Sequence, residues 1–122
     1  MRIFVVEDCV PVRERLIELI EALGGHAVVG EAGNYHDAVA GICNSNPDVG
    51  IFDIRLAGGN GLDALVAVKR KLPGLRAIML SNQASKQHMK ASAHAGAEYF
   101  LDKTQEFDKI GEVLVDMQRM NE

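Results

Sequence analysis

Two short apolar runs constrain this chain most: Ile3-Phe4-Val5-Val6 and Val49-Gly50-Ile51-Phe52. Each has the length and residue types of a β-strand buried on both faces, which points to a parallel sheet covered by helices. The segments between them read as helices. Val12, Leu16, Leu19, Ile20 and Leu23 recur at three- and four-residue spacings after Pro11, and Gly24-Gly25 closes the pattern. The opposite face of this helix carries Arg13, Glu14, Glu18 and Glu21. A short second strand is expected over residues 27–29. Asn34 is placed to cap a helix through Ala38, Val39 and Ile42 that stops before Pro47. After the strand at 49–52, Gly58-Gly59-Asn60-Gly61 reads as a flexible connection. A helix through Leu62, Leu65, Val66 and Val68 follows, broken by Pro73-Gly74. A fourth strand is expected over 75–80, a short helix over 87–94 and a fifth strand over 99–101. Phe107, Ile110, Val113, Leu114 and Met117 mark a last amphipathic helix. Five strands alternating with five helices predict an α/β domain with right-handed crossovers.

The 122 residues fit one domain with a real core, and 48% hydrophobic with 25% charged residues is ordinary for a globular protein. A net charge of -4 argues against nucleic acid or an anionic membrane as a direct partner. No apolar stretch is long enough to span a bilayer, and no signal-peptide pattern opens the chain. Cys9 and Cys43 lack metal-ligand spacing and read as free thiols of a reducing compartment, so a cytoplasmic location is expected.

Both apolar runs end in acids: Glu7-Asp8 after the first, Asp53 after the third strand. Ligands of such sheets bind beyond the carboxyl ends of the strands. Three carboxylates converging there repel one another unless a cation sits among them or a pKa rises, and a hard divalent ion such as Mg2+ is the simplest relief. Ser81 follows the fourth strand and Lys103 the fifth. Carboxylate, metal, ammonium and hydroxyl are the parts that place a phosphoryl group and neutralise its oxygens. Asp53, on the central strand, is the expected nucleophile of an aspartyl phosphate.

The ordered set of Val-Val-Glu-Asp at 5 to 8, Asp53-Ile-Arg-Leu with Gly61 eight positions on, Ser81, and Gly96-Ala97 leading to Lys103 resembles the receiver domain of bacterial two-component response regulators. The resemblance covers essentially the whole chain, so residues 1–122 are expected to form one receiver domain. It implies a flavodoxin-like, doubly wound, five-stranded parallel sheet of order 2-1-3-4-5 with five helices. It implies phosphorylation of Asp53 by a sensor histidine kinase or histidine phosphotransfer protein. Mg2+ would be held by Asp8, by Asp53, by Glu7 through water and by the backbone carbonyl of Arg55. Ser81 and Lys103 would contact the phosphoryl oxygens, and Phe100 would occupy the aromatic switch position beside Tyr99. The readout would be a downstream protein target at the face of the fourth helix, fifth strand and fifth helix, with a homodimer left open. Several positions depart from the family pattern. Ala57 stands where proline is usual. Thr104 follows Lys103 in place of proline and is a candidate cap for the last helix. Asn82 is larger than the usual residue and would narrow access to the phosphoryl group. Arg55 and Gln83 fill positions that tune phosphate loss.

Other readings divide on single features. A free-standing regulator is expected first; the receiver of a DNA-binding transcriptional regulator is the alternative, which the missing proline after Lys103 resembles. A Mg2+-dependent phosphatase with an Asp nucleophile wants a second acid at the position of Arg55, so a switch rather than an enzyme is expected. A flavin binder needs a phosphate-cradling loop where Glu7-Asp8-Cys9-Val10 would repel phosphate. His26, His36, His88 and His94 have no metal spacing and read as surface or half-buried side chains; Cys9 reads as a small buried residue.

Overall fold

The computed structural model describes residues 1–82 and 85–120. Five strands, β1 Arg2–Val6, β2 Ala27–Ala32, β3 Val49–Asp53, β4 Arg76–Ser81 and β5 Tyr99–Asp102, form one parallel sheet in the order β2-β1-β3-β4-β5. The helices are α1 Val10–Ala22, α2 Tyr35–Ser45, α3 Gly61–Lys71, α4 Lys86–His94 and α5 Ile110–Met120, the last entered through a 3-10 turn at Phe107–Lys109.

The unbroken apolar runs have a direct cause in this sheet. Successive strand side chains point to opposite faces, and both faces are covered. Ile3, Val5, Val49, Ile51, Ile78 and Leu80 pack with Leu16 and Ile20 of α1 and with Ile110, Leu114 and Met117 of α5. Phe4, Val6, Phe52, Ala77 and Met79 pack on the other side with Ala38 and Ile42 of α2 and Ala64, Leu65 and Val68 of α3.

Polar side chains set the helix starts. Asn34 Oδ1 accepts from the Asp37 N–H at 2.8 Å and Asn60 Oδ1 from the Asp63 N–H at 2.8 Å, capping α2 and α3. Ser85 Oγ accepts from the His88 N–H at 3.1 Å to cap α4.

Four local expectations are corrected. The second strand runs three residues further than 27–29, because pairing with Phe4, Val5 and Val6 carries Gly30, Glu31 and Ala32 into the ladder despite their mixed polarity. The glycine-rich segment is no flexible connection: Arg55–Leu56 pairs antiparallel with Gly59–Asn60 in a two-stranded ribbon, and the Tyr35 N–H ties it to α2 through the Ala57 carbonyl at 3.0 Å. Thr104 is not the cap that follows β5. Asp102 Oδ1 accepts from the N–H groups of Thr104 and Gln105 at 2.8 and 2.9 Å, while Glu106 Oε1 accepts from the Asp102 N–H at 3.0 Å. Cys9 is exposed rather than buried, since it stands in the loop between β1 and α1.

Candidate functional site

The carboxyl ends of β1, β3, β4 and β5 deliver Asp8, Asp53, Ser81 and Lys103 to one cleft of about 620 Å3, with Glu7 buried beneath them. Glu7 is fully buried, Asp53 and Ser81 nearly so, and Asp8 is exposed at the mouth. Carboxylate oxygens of Glu7, Asp8 and Asp53 lie within 4.8 Å of one another. The separated sequence motifs therefore meet as a single constellation.

Lys103 supplies the internal cation. Its Nζ donates to Asp53 Oδ2 at 2.9 Å and forms an ion pair with Glu7 Oε1. Burial pulls the ammonium down, but the two carboxylates outweigh it and hold the Lys103 pKa above its ordinary value. Glu7 moves the other way. Burial, followed by its hydrogen-bonded neighbour Asp53, raises its pKa from 4.5 to about 7 although Lys103 opposes the shift. Backbone donors complete the frame: the Arg55 N–H reaches Asp53 Oδ1 at 3.3 Å and the Cys9 N–H reaches Glu7 Oε2 at 3.2 Å.

The donor set suits a hard divalent ion. Three carboxylates offer oxygen ligands, and with Lys103 protonated their full ionisation leaves a formal charge of about -2. The Arg55 backbone lies on the ribbon that lines the same cleft. Gly61 is required where the ribbon enters α3. A Cβ there would lie 2.0 Å from the Asp53 carbonyl oxygen, and the Gly61 N–H donates to the Ile54 carbonyl at 2.7 Å.

Other residues singled out from the sequence are less central. Asn82 is exposed and lines the cleft, and His88 of α4 forms part of the same wall, which histidine spacing alone gave no reason to expect. Phe100 is half-buried on β5 against the α2–α3 side of the core, whereas Tyr99 packs toward α1 and α5. Gln83 lies outside the described residues.

A doubly wound α/β domain with an acidic, lysine-bridged cleft at the carboxyl edge of its sheet is the class that fold and site define. Residues 3–115 match the response regulator receiver domain, and the chain belongs to that family. It is 34% identical over 103 residues to the DNA-binding transcriptional activator DevR/DosR of Mycobacterium tuberculosis, covering 84% of this chain and 48% of that protein. It is 28% identical over 113 residues to the chemotaxis protein CheY of Thermotoga maritima, covering 93% of each. The crystal structure of the response regulator domain of Thermotoga maritima CheB superposes with a TM-score of 0.85 at 27% identity, covering 98% of this chain and 94% of that one. The chain spans about half the length of the first curated relatives it matches. Receiver domains of two-component response regulators are signalling switches that work through aspartate phosphorylation and generally use Mg2+. No helix among the described residues is long and apolar enough to cross a membrane.

Proposed function

We propose that residues 1–122 form a receiver domain that accepts a phosphoryl group on Asp53 and converts it into a change at a protein-binding face. The observation that carries this reading is the Lys103 ammonium shared between Asp53 and Glu7 in a cleft that Asp8 and Ser81 also line. An Asp53 carboxylate oxygen attacks the phosphorus of the donor, the bond from phosphorus to the donor's leaving atom breaks, and that atom keeps the electron pair. Asp8, Asp53, the Arg55 carbonyl and, through water, Glu7 would hold Mg2+, which would neutralise charge on the transferring group. Lys103 already lies 2.9 Å from an Asp53 oxygen, so its ammonium needs little movement to reach a phosphoryl oxygen. The Ser81 hydroxyl then donates to a second phosphoryl oxygen, and the local charge change biases Phe100 between outward and inward positions.

The donor is a sensor histidine kinase or histidine phosphotransfer protein, and the target docks on α4, β5 and α5. A stand-alone regulator is the first form of this reading. The length relation to DevR/DosR supports a second reading, in which the same domain governs a DNA-binding partner domain and pairs with a second copy of itself. Exposing the protein to Mg2+ and acetyl phosphate tests the site. One acid-stable, base-labile phosphoryl group is expected, lost in Asp53→Asn and on chelation of Mg2+; undiminished labelling of Asp53→Asn refutes the assignment.

A further inference from the structure

Arg13 stands five residues after Asp8, on the polar side of α1. It is nevertheless turned inward, with its side chain only 17% exposed. Its Nη1 donates to the backbone carbonyl of Glu7 at 2.9 Å, and its Nε donates to Glu31 Oε1 at 3.1 Å. Space for this arrangement exists because residue 33 is glycine. A Cβ at Gly33 would lie 2.8 Å from Arg13 Nη1, 3.6 Å from the Glu7 carbonyl oxygen and 3.7 Å from Asp8 Cα.

The bonded carbonyl belongs to the peptide group that joins Glu7 to Asp8. Glu7 is one residue beyond β1, where its N–H donates to the Ala32 carbonyl at 2.9 Å. Rotation of the next peptide plane turns the Asp8 side chain relative to Glu7 and separates oxygens that now lie within 4.8 Å of one another and of Asp53. The hydrogen bond from Arg13 Nη1 opposes that rotation, and the bond to Glu31 orients the guanidinium.

We propose that Arg13 is a positioning residue for the divalent-cation site, presetting the Glu7 and Asp8 carboxylates through the peptide between them. The proposal rests on the Mg2+ reading given above and assigns it a support on α1. Charge alone predicts the opposite effect. A guanidinium near a cation site repels the incoming ion, so its removal on electrostatic grounds strengthens Mg2+ binding. Positioning predicts that removal weakens it, and loss of a hydrogen bond that orients metal ligands costs on the order of tenfold in affinity.

Calorimetric titration of Mg2+ into the full chain separates the two. Arg13→Met is expected to bind Mg2+ about tenfold more weakly than the wild type. Gly33→Ala, which keeps the charge but pushes Nη1 off the carbonyl, is expected to weaken binding in the same direction and decides the matter if Arg13→Met does not fold. In phosphorylation by acetyl phosphate, the shift falls on the Mg2+ concentration at half-maximal rate and not on that of the phosphodonor measured at saturating Mg2+. A merely structural role lowers the melting midpoint and leaves both half-saturation values in place. Unchanged or tighter Mg2+ binding by Arg13→Met overturns the positioning role. Absence of Mg2+ binding by the wild type overturns the metal reading itself.

Discussion

Glu7 and Lys103 are the residues whose ordinary chemistry is most altered by their neighbours. Burial, and then Asp53, raise the Glu7 pKa to about 7 against the pull of Lys103, so below neutrality a proton competes with a divalent ion for this carboxylate. Metal binding therefore releases a proton below neutrality, and Mg2+ affinity is expected to rise with pH by up to about tenfold per unit before levelling off above pH 7. The metal-free protein shows the converse. Between pH 4.5 and about 7 the folded state binds the Glu7 proton more tightly than the unfolded chain, so this group's contribution to stability falls as pH rises through that window. His26, whose pKa is lowered chiefly by burial, slopes the other way. The difference in melting midpoint between wild type and Glu7→Gln across pH 5 to 8 isolates the Glu7 part; a difference that stays flat with pH contradicts the assignment.

At the scale of elements, the loop after β3 does most to shape the cleft. The Arg55–Leu56 and Gly59–Asn60 ribbon holds it even though Ala57 stands where a proline would stiffen it, and Gly61 lets α3 begin directly against the Asp53 carbonyl. Gly61→Ala forces a methyl into that oxygen, and overpacking of this kind destabilises by about 1–3 kcal/mol. Urea unfolding is expected to show the loss, and the phosphorylation rate with acetyl phosphate to fall with it because the backbone of Asp53 must shift. A fully stable, normally labelled Gly61→Ala protein contradicts this account. The same loop shows where sequence reading stops. The buried strands were legible because apolar runs and double-sided burial are one fact, and the acids at their ends followed from strand direction. The ribbon was not legible, because its order comes from a register between four residues of which only Leu56 is apolar, too few to show a period. Helical periodicity puts Arg13 on the polar face of α1, but it records the face of a side chain's Cα and not where a long guanidinium arm ends. Thr104 is the cap the sequence suggests, but Asp and Thr both cap well, and only the turn geometry gives the role to Asp102.

For the whole molecule, β3 is the axis. Ile51 is fully buried on it, between β1 and β4. Ile51→Ala is expected to cost about 2–5 kcal/mol in chemical denaturation; a loss under about 1 kcal/mol would show that the α1–α5 side of the core closes over the gap. Arg76 ties the opposite end of the sheet together: it pairs with Glu98 through two bonds of 2.8 and 2.7 Å and donates to the Met117 carbonyl at 2.7 Å. The cleft draws on four strand ends, from Asp8 near the start of the chain to Lys103 near its finish. No two neighbouring elements contain a working subset of it. Under the proposed function, a chain whose last strand has yet to dock lacks Lys103 beside Asp53 and is expected to label poorly with acetyl phosphate. Labelling competence would then report on the finished fold.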